Sequence, residues 1–230
     1  MNRRQLGYSV LVALVLTLLG IFFFDRPIAA FAQSAGGRKS VVLQEGTHWL
    51  EVASGLPIAR YFLTYLLLAS SALLFVSRNT RTIAWMLLFI AVVQFIARLT
   101  AGALKEVFGR LRPFEVIQAG NWDWKFFSGH GSAFPSGHSA LFWGLYFPLV
   151  FLFPRYRLPL LIIPVFISIA RVGVNDHWCS DVIASAGLAA LITLFLSWAF
   201  RTKSAIGSAP LPEALTDMGP ILGPPPAGNP

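Results

Sequence analysis

The sequence predicts an all-α fold: a six-span transmembrane helix bundle with extra-cytoplasmic loops. Three observations carry that expectation. Of the 230 residues, 56% are hydrophobic and 12% charged, with mean hydropathy +0.66, far from the soluble norm. Six apolar runs are separated by short polar or basic junctions. The basic junctions fall alternately, so one orientation puts most of them on one side. The net charge of +8 and pI near 10.3 could point to nucleic acid, but the cations flank apolar runs instead of forming a dense stretch. No nucleic-acid partner is therefore expected. Cys179 is the only cysteine, which excludes an intrachain disulfide and a thiolate metal cluster.

In chain order, Arg3 and Arg4 precede the first run, residues 6–24, long enough to span a bilayer. Ala30-Phe31-Ala32 resembles a signal-peptide cleavage site, but the run exceeds a usual signal core and Asp25-Arg26-Pro27 intervenes. Residues 25–59 read as a polar loop with a partly apolar, interfacial stretch around Trp49 and Leu50, in which His48 has no role. The second run is 61–76, followed by a tight basic loop, and the third is 83–104. Within it, Arg98 either faces the bundle interior or snorkels to a carbonyl. Residues 105–138 form a long polar and aromatic connection before the fourth run, 139–153. The fifth, 158–170, is kinked at Pro164, and the sixth, 181–200, begins with small residues that permit close helix contact. Residues 1–203 thus form one membrane-embedded domain, and the Pro- and Gly-rich stretch 204–230 a disordered cytoplasmic tail.

With the amino terminus inside, Arg3/Arg4, Arg78/Arg81, Arg155/Arg157 and Arg201/Lys203 all lie in the cytoplasm. The opposite side receives 25–59, 105–138 and 171–181, with all four histidines and every acidic residue but Glu213 and Asp217. Three polar clusters then share one membrane face.

The first is Lys105, Arg110 and Arg112, whose cations suit a multiply charged anion. An ordinary basic flank is the alternative, which the positive-inside rule disfavours on this side. The second is Pro135-Ser136-Gly137-His138, directly before a helix. Gly137 lets backbone N–H groups approach an oxyanion, Ser136 can donate a hydrogen bond, and His138 is placed to protonate a leaving group. Ser128-Gly129-His130 echoes it but reads as a loop turn. The third is Arg171 with His177 and Asp181. Four residues apart on a helix, the last two share a face, and the carboxylate can fix the imidazole tautomer. Asn175 or Asp176 would cap that helix, with His177 opening it. A polar junction where His177 merely caps is the bland alternative. A zinc site is a further one, but the converging cations would repel a metal.

Lys105-x6-Arg112-Pro113, Pro135-Ser136-Gly137-His138 and Arg171-x5-His177-x3-Asp181, in this order, resemble the type 2 phosphatidic acid phosphatase (PAP2) superfamily. The resemblance covers roughly 61–200. Two departures stand out: Ala170 where the family usually has serine, and Cys179 where bacterial members often have proline.

The resemblance implies an integral membrane lipid phosphatase of the bacterial inner membrane, with its active site facing the periplasm. His177 would attack phosphorus to give a phosphohistidine, oriented by Asp181, and His138 would protonate the departing oxygen. Lys105, Arg112, Arg171, Ser136 and Gly137 would hold the phosphate oxygens, with Arg110 behind them. No metal or other cofactor is implied. The substrate would be a lipid phosphate, with undecaprenyl pyrophosphate, lipid A, phosphatidylglycerophosphate and phosphatidate as candidates. Trp122, Trp124, Phe126 and Phe127 would anchor the loop or line the entrance. A lipid phosphotransferase and a non-enzymatic transporter of anionic lipids are the rival readings.

Overall fold

A computed structural model describes residues 1–120, 122 and 126–200. Trp124 and the stretch 204–230, with the expectation of a disordered tail, lie outside the described residues. The described residues form helices α1 (Arg3–Leu19), α2 (Asp25–Ser34), α3 (Val41–Ala53), α4 (Phe62–Leu74), α5 (Arg81–Phe108), α6 (Pro113–Gln118), α7 (Gly137–Leu152), α8 (Arg157–Gly173) and α9 (Cys179–Ala199), and no strand. Four helical stretches are long and apolar enough to cross a membrane: Arg3–Ser34, Arg78–Gln118, Pro154–Gly173 and Cys179–Ala199. The apolar helices α4 and α7 are shorter. The six expected runs therefore all appear as helices, of which four meet the length of a span.

Two boundaries differ from the sequence expectation. The first run does not stop at Asp25: a π turn, Gly20–Phe24, joins α1 to α2. Pro27 has no N–H to offer the carbonyl four residues back, so the local helix widens instead of breaking. The supposed polar loop 25–59 is thus largely helical, as α2 and α3. Likewise α5 runs on to Phe108, closed by Gly109 in the left-handed conformation (φ 46°), so Lys105 stands on its last turn.

The bundle centres on α7, which contacts α5, α8 and α9, while α1 lies along α9 and α4 against α5. Small residues set these crossings. A Cβ on Gly144 would lie 3.1 Å from Ala97 Cβ, and one on Gly187 would lie 2.9 Å from Ala13 Cβ, so backbones meet where bulk is absent. Phe89, Ile90, Val93, Leu152 and Leu196 fill one core layer, and Leu6, Ala97, Phe147, Ala189 and Ala190 another. Two buried hydroxyls bond across helices: Thr64 Oγ1 donates to Gln94 Oε1 (2.7 Å) and Ser71 Oγ to the Ala84 carbonyl (2.8 Å). Leu11, Phe22, Phe23, Leu191, Phe195 and Trp198 face outward, an apolar exterior that a bilayer covers. Arg98 lies 5.8 Å from the Tyr61 ring, and its buried Nε has no partner among the described residues.

Candidate active site

The start of α9 builds the first half of the site. Asp181, in the first turn, accepts the Trp178 backbone N–H (2.8 Å) and so caps the helix through its Oδ2. The same oxygen lies 3.4 Å from His177 Nδ1. This corrects the expected local geometry: His177 does not open the helix, and neither Asn175 nor Asp176 caps it. Trp178 is the cap residue, and His177 sits just outside, in the turn after α8. There its backbone N–H donates to the Arg171 carbonyl (3.2 Å). The Asp181 oxygen on Nδ1 leaves Nε2 as the free nitrogen. Burial pushes the imidazole down to about 4, against the opposing pull of Asp181, and the nearby charges of Lys105 and Arg171 act with burial. His177 is therefore neutral near pH 7.

The other Asp181 oxygen, Oδ1, takes Arg110 Nη1 at 2.6 Å, and Arg110 Nη2 reaches Asp25 Oδ2 at 2.7 Å. All three side chains are removed from solvent. Ser180 closes the network: its N–H and hydroxyl donate to Asp25 (2.9 and 2.5 Å), and its Oγ accepts from Arg110 (2.7 Å). Phe126 and Trp178 cover the guanidinium, 4.5 and 5.0 Å from its carbon. A guanidinium is the side chain that can bridge two carboxylates in this way, because its donors are fixed in a plane. Arg110 thus belongs behind the site and Asp25, at the head of α2, holds it there.

The second half comes from α5, α7 and α8. Lys105 Nζ donates to the Ser132 carbonyl, and Arg112 Nη2 to Ser132 Oγ (3.2 Å), so both cations gather over one turn. A Cβ on Gly137 would lie 3.6 Å from Lys105 Cε, placing that glycine beneath the lysine. Ser136 is fully buried, and its N–H donates to the Asp181 carbonyl (3.2 Å) while its own carbonyl accepts Ser185 Oγ (2.9 Å). These bonds tie the Pro135–His138 segment to the first turns of α9. Arg171 ends α8, pairs with Asp176 (2.9 Å), and lies within electrostatic reach of Lys105, His138 and His177.

His138 carries a partner that sequence reasoning missed. Its Nε2 lies 2.7 Å from Glu51 Oε1, on α3. That hydrogen bond holds the Glu51 carboxyl below its usual range, against the cost of partial burial. Glu51 and Asp25 both fall in the stretch read as a polar loop. The one available signal was that Asp25 follows an apolar run directly and is followed by proline.

All eight residues expected to act on phosphate therefore lie at one end of the bundle, with Arg110 behind them. His130 does not join them: it is exposed, and Ser128 Oγ bonds the Gly109 carbonyl and accepts from the Gly131 N–H (3.2 Å), a local turn. Among the described residues no three His, Cys, Asp or Glu side chains converge as metal ligands do. The arrangement holds one imidazole on Asp181, a second on Glu51, and three cations, Lys105, Arg112 and Arg171, at the same end of the bundle.

Such a helical bundle, crossing a membrane and gathering cations and imidazoles at one end, defines an integral membrane protein built to handle phosphate. The PAP2 superfamily profile matches residues 82–205, over half of the chain, and the protein belongs to that superfamily. Among its relatives are the lipid A 1-phosphatases of Rhizobium johnstonii, 29% identical over 194 residues (82% of this chain, 78% of the relative), and of Rhizobium etli, 29% identical over 171 residues (72% of each). No solved structure matches the chain. Membership and these relatives make the protein a phosphatase.

Proposed function

We propose that the protein hydrolyses the phosphate of an envelope lipid at the extra-cytoplasmic face of the bacterial inner membrane, in a six-span bundle. In that topology α4 and α7 are the two short spans, extended by their flanking residues. The relatives' names as lipid A 1-phosphatases make a lipid A-type 1-phosphate the first substrate to try, before undecaprenyl pyrophosphate, phosphatidylglycerophosphate and phosphatidate.

In the proposed reaction, His177 Nε2 attacks phosphorus while Asp181 keeps the proton on Nδ1 and stabilises the imidazolium. The P–O bond to the lipid breaks, and the leaving oxygen takes a proton from His138. A water then attacks the phosphohistidine, giving its proton to His138, and inorganic phosphate departs with His177 restored. Lys105, Arg112, Arg171, Ser136 and the Gly137 amide bear the charge on the non-bridging oxygens. No step calls for a metal. The observation that supports this reading is the bond from Ser136 N–H to the Asp181 carbonyl (3.2 Å), which joins the segment of His138 to the helix whose Asp181 holds His177. The test is release of inorganic phosphate from a panel of envelope lipids by the purified protein, with His177→Ala as the blank. Equal release by that variant would remove His177 from its role.

A further inference from the structure

Arg98, a cation inside the span formed by α5, has no part in the reaction above. Its charge lies within electrostatic reach of Glu51 and of His138, so the side chain points toward the site. It is half-buried, and its Nε is closed to solvent. Gly102 and Lys105 follow on the same face of α5, one and two turns on. Gly102 leaves room for a second guanidinium: Arg60 Nη2 stands 2.9 Å from where a Cβ on that glycine would lie. The Tyr61 ring adjoins both, 5.5 Å from the guanidinium carbon of Arg60 and 5.8 Å from that of Arg98. Arg60 is in turn within electrostatic reach of Arg98 and of Lys105. Neither guanidinium has a hydrogen-bond or ion-pair partner among the described residues, because the Glu51 carboxylate beside Arg98 is engaged by His138 at 2.7 Å.

We propose that Arg98 forms a second anion subsite, with Arg60 at its rim, for a negatively charged group on the leaving side of the substrate. This rests on the reaction proposed above. There Lys105, Arg112 and Arg171 hold the phosphoryl group that is transferred, and His138 marks the oxygen that departs. Arg98 stands on the His138 side, so an anion it holds belongs to the departing group. The bond that breaks and the proton from His138 are unchanged, and Arg98 adds a counter-charge to what leaves. A guanidinium in a membrane span without a counter-charge is costly, and two close together are more so. A second phosphoryl or carboxylate group relieves that cost, since a guanidinium takes two of its oxygens in one plane. Snorkelling alone would bring every donor to water, but the Arg98 Nε is closed off. Arg60 is exposed, so it adds charge at the mouth while Arg98 discriminates. The preference is for charge beside the scissile phosphate, whichever lipid body carries it.

The test uses the full-length protein in detergent and two soluble anions that it cannot cleave, methylenebisphosphonate and methylphosphonate, with binding measured by calorimetry. The unaltered protein should bind the bisphosphonate about ten-fold more tightly. Arg98→Gln should erase most of that preference while moving methylphosphonate affinity less than about two-fold. Arg98→Lys, which keeps a charge, should retain part of it, and Arg60→Gln should lose only about three-fold. In turnover, a long-chain alkyl diphosphate should be favoured over the matching monophosphate, and Arg98→Gln should lower that ratio of kcat/KM about ten-fold. A lipid whose second phosphate stands across a glycerol from the first separates the two sources of charge. A loss in Arg98→Gln on the diphosphate alone puts the second group directly on the scissile phosphate, and a loss on the glycerol-spaced lipid alone puts it further out; either supports the subsite. Equal affinity of the unaltered protein for the two anions, or a preference that survives Arg98→Gln, overturns the subsite and leaves the phosphatase. A preference lost in Arg98→Gln, with no phosphate released from any lipid by the unaltered protein, keeps the subsite and overturns the reaction. Equal weakening of both anions in Arg98→Gln and Arg98→Lys means that Arg98 serves the fold alone, and the subsite is overturned.

Discussion

Arg110 Nη1 stands 2.6 Å from Asp181 Oδ1, and neither side chain touches solvent. His177, the proposed nucleophile, is thereby held by a carboxylate that is itself anchored to a buried cation, and that cation to Asp25. Removing one member strands the others in a low-dielectric interior. Arg110→Ala should cost about 3–5 kcal/mol of stability, because two buried carboxylates lose their counter-charge together. Thermal unfolding in detergent, with the midpoint followed by tryptophan fluorescence, measures it. Asp25→Asn should cost less, since it keeps the shape and some hydrogen bonds, yet still lower kcat by loosening Asp181. A melting midpoint unmoved by Arg110→Ala would show that the network is not what seats the nucleophile.

Under the proposed mechanism, the depressed pKa of His177 sets the acid limb of activity. The attacking form is the neutral ring, and with a folded-state value of about 4 it stays neutral through pH 5–7. The expected profile of kcat/KM, corrected for ionisation of the lipid phosphate, has no inflection of His177 near 6.5 and falls only as pH approaches about 4. The same group gives a stability term of defined sign. An unfolded imidazole takes its proton near 6.5, the folded one near 4, so folding is favoured above that window and loses this contribution as pH falls through it. A nucleophile inflection close to 6.5 in the free enzyme would contradict the burial described here.

Glu51 should matter for turnover more than for binding. Glu51→Gln keeps size and hydrogen bonding but removes the charge facing His138, and kcat should drop by about 10²-fold with KM moved far less. Glu51→Asp should recover part of that loss if it still reaches the ring. The steady-state constants with a single lipid substrate decide this, and a variant that raises KM alone would assign Glu51 to substrate binding instead.

Two glycines make a contrast that needs no substrate. A Cβ at Gly131 would fall 2.1 Å from the Arg110 carbonyl oxygen, whereas one at Gly137 meets nothing nearer than Lys105 Cε at 3.6 Å. Gly131→Ala should therefore shift the chain that holds Arg110 and lower the melting midpoint by several degrees, about 1–3 kcal/mol. Gly137→Ala should leave the midpoint close to that of the unaltered protein. Similar midpoints for the two variants would refute the close approach at Gly131.

The gathering of Lys105, His138 and His177 at one end of the bundle was legible in the sequence, because each lies where an apolar run begins or ends. Periodicity and hydropathy locate those runs well. What they could not supply was Glu51 and Asp25. Both lie in a stretch whose polar composition reads as a loop, while its helices are stabilised by tertiary contact: Asn175 Nδ2 bonds the Ala29 carbonyl (3.3 Å), and Ala29 packs with Trp178, Val116 and Ala133. The register of Asp25 depends on a π turn, and no hydrophobic repeat announces one. The cap of α9 was misplaced for a related reason. Asn175 has the composition of a cap, but it is buried at φ 59° and spent on α2, and the capping falls to Asp181 from inside the helix.

The leading segment also changes what counts as the catalytic unit. The stretch that bears the superfamily signature, 82–205, contains His138 and His177, but the carboxylates behind Arg110 and His138 arrive from residues 25 and 51, upstream of it. A chimaera that grafts another member's amino-terminal third onto this chain would keep the signature intact and take whatever that member carries at the positions of Asp25 and Glu51. Exchanging those first helices between relatives is thus a way to tune the chemistry without touching one motif residue.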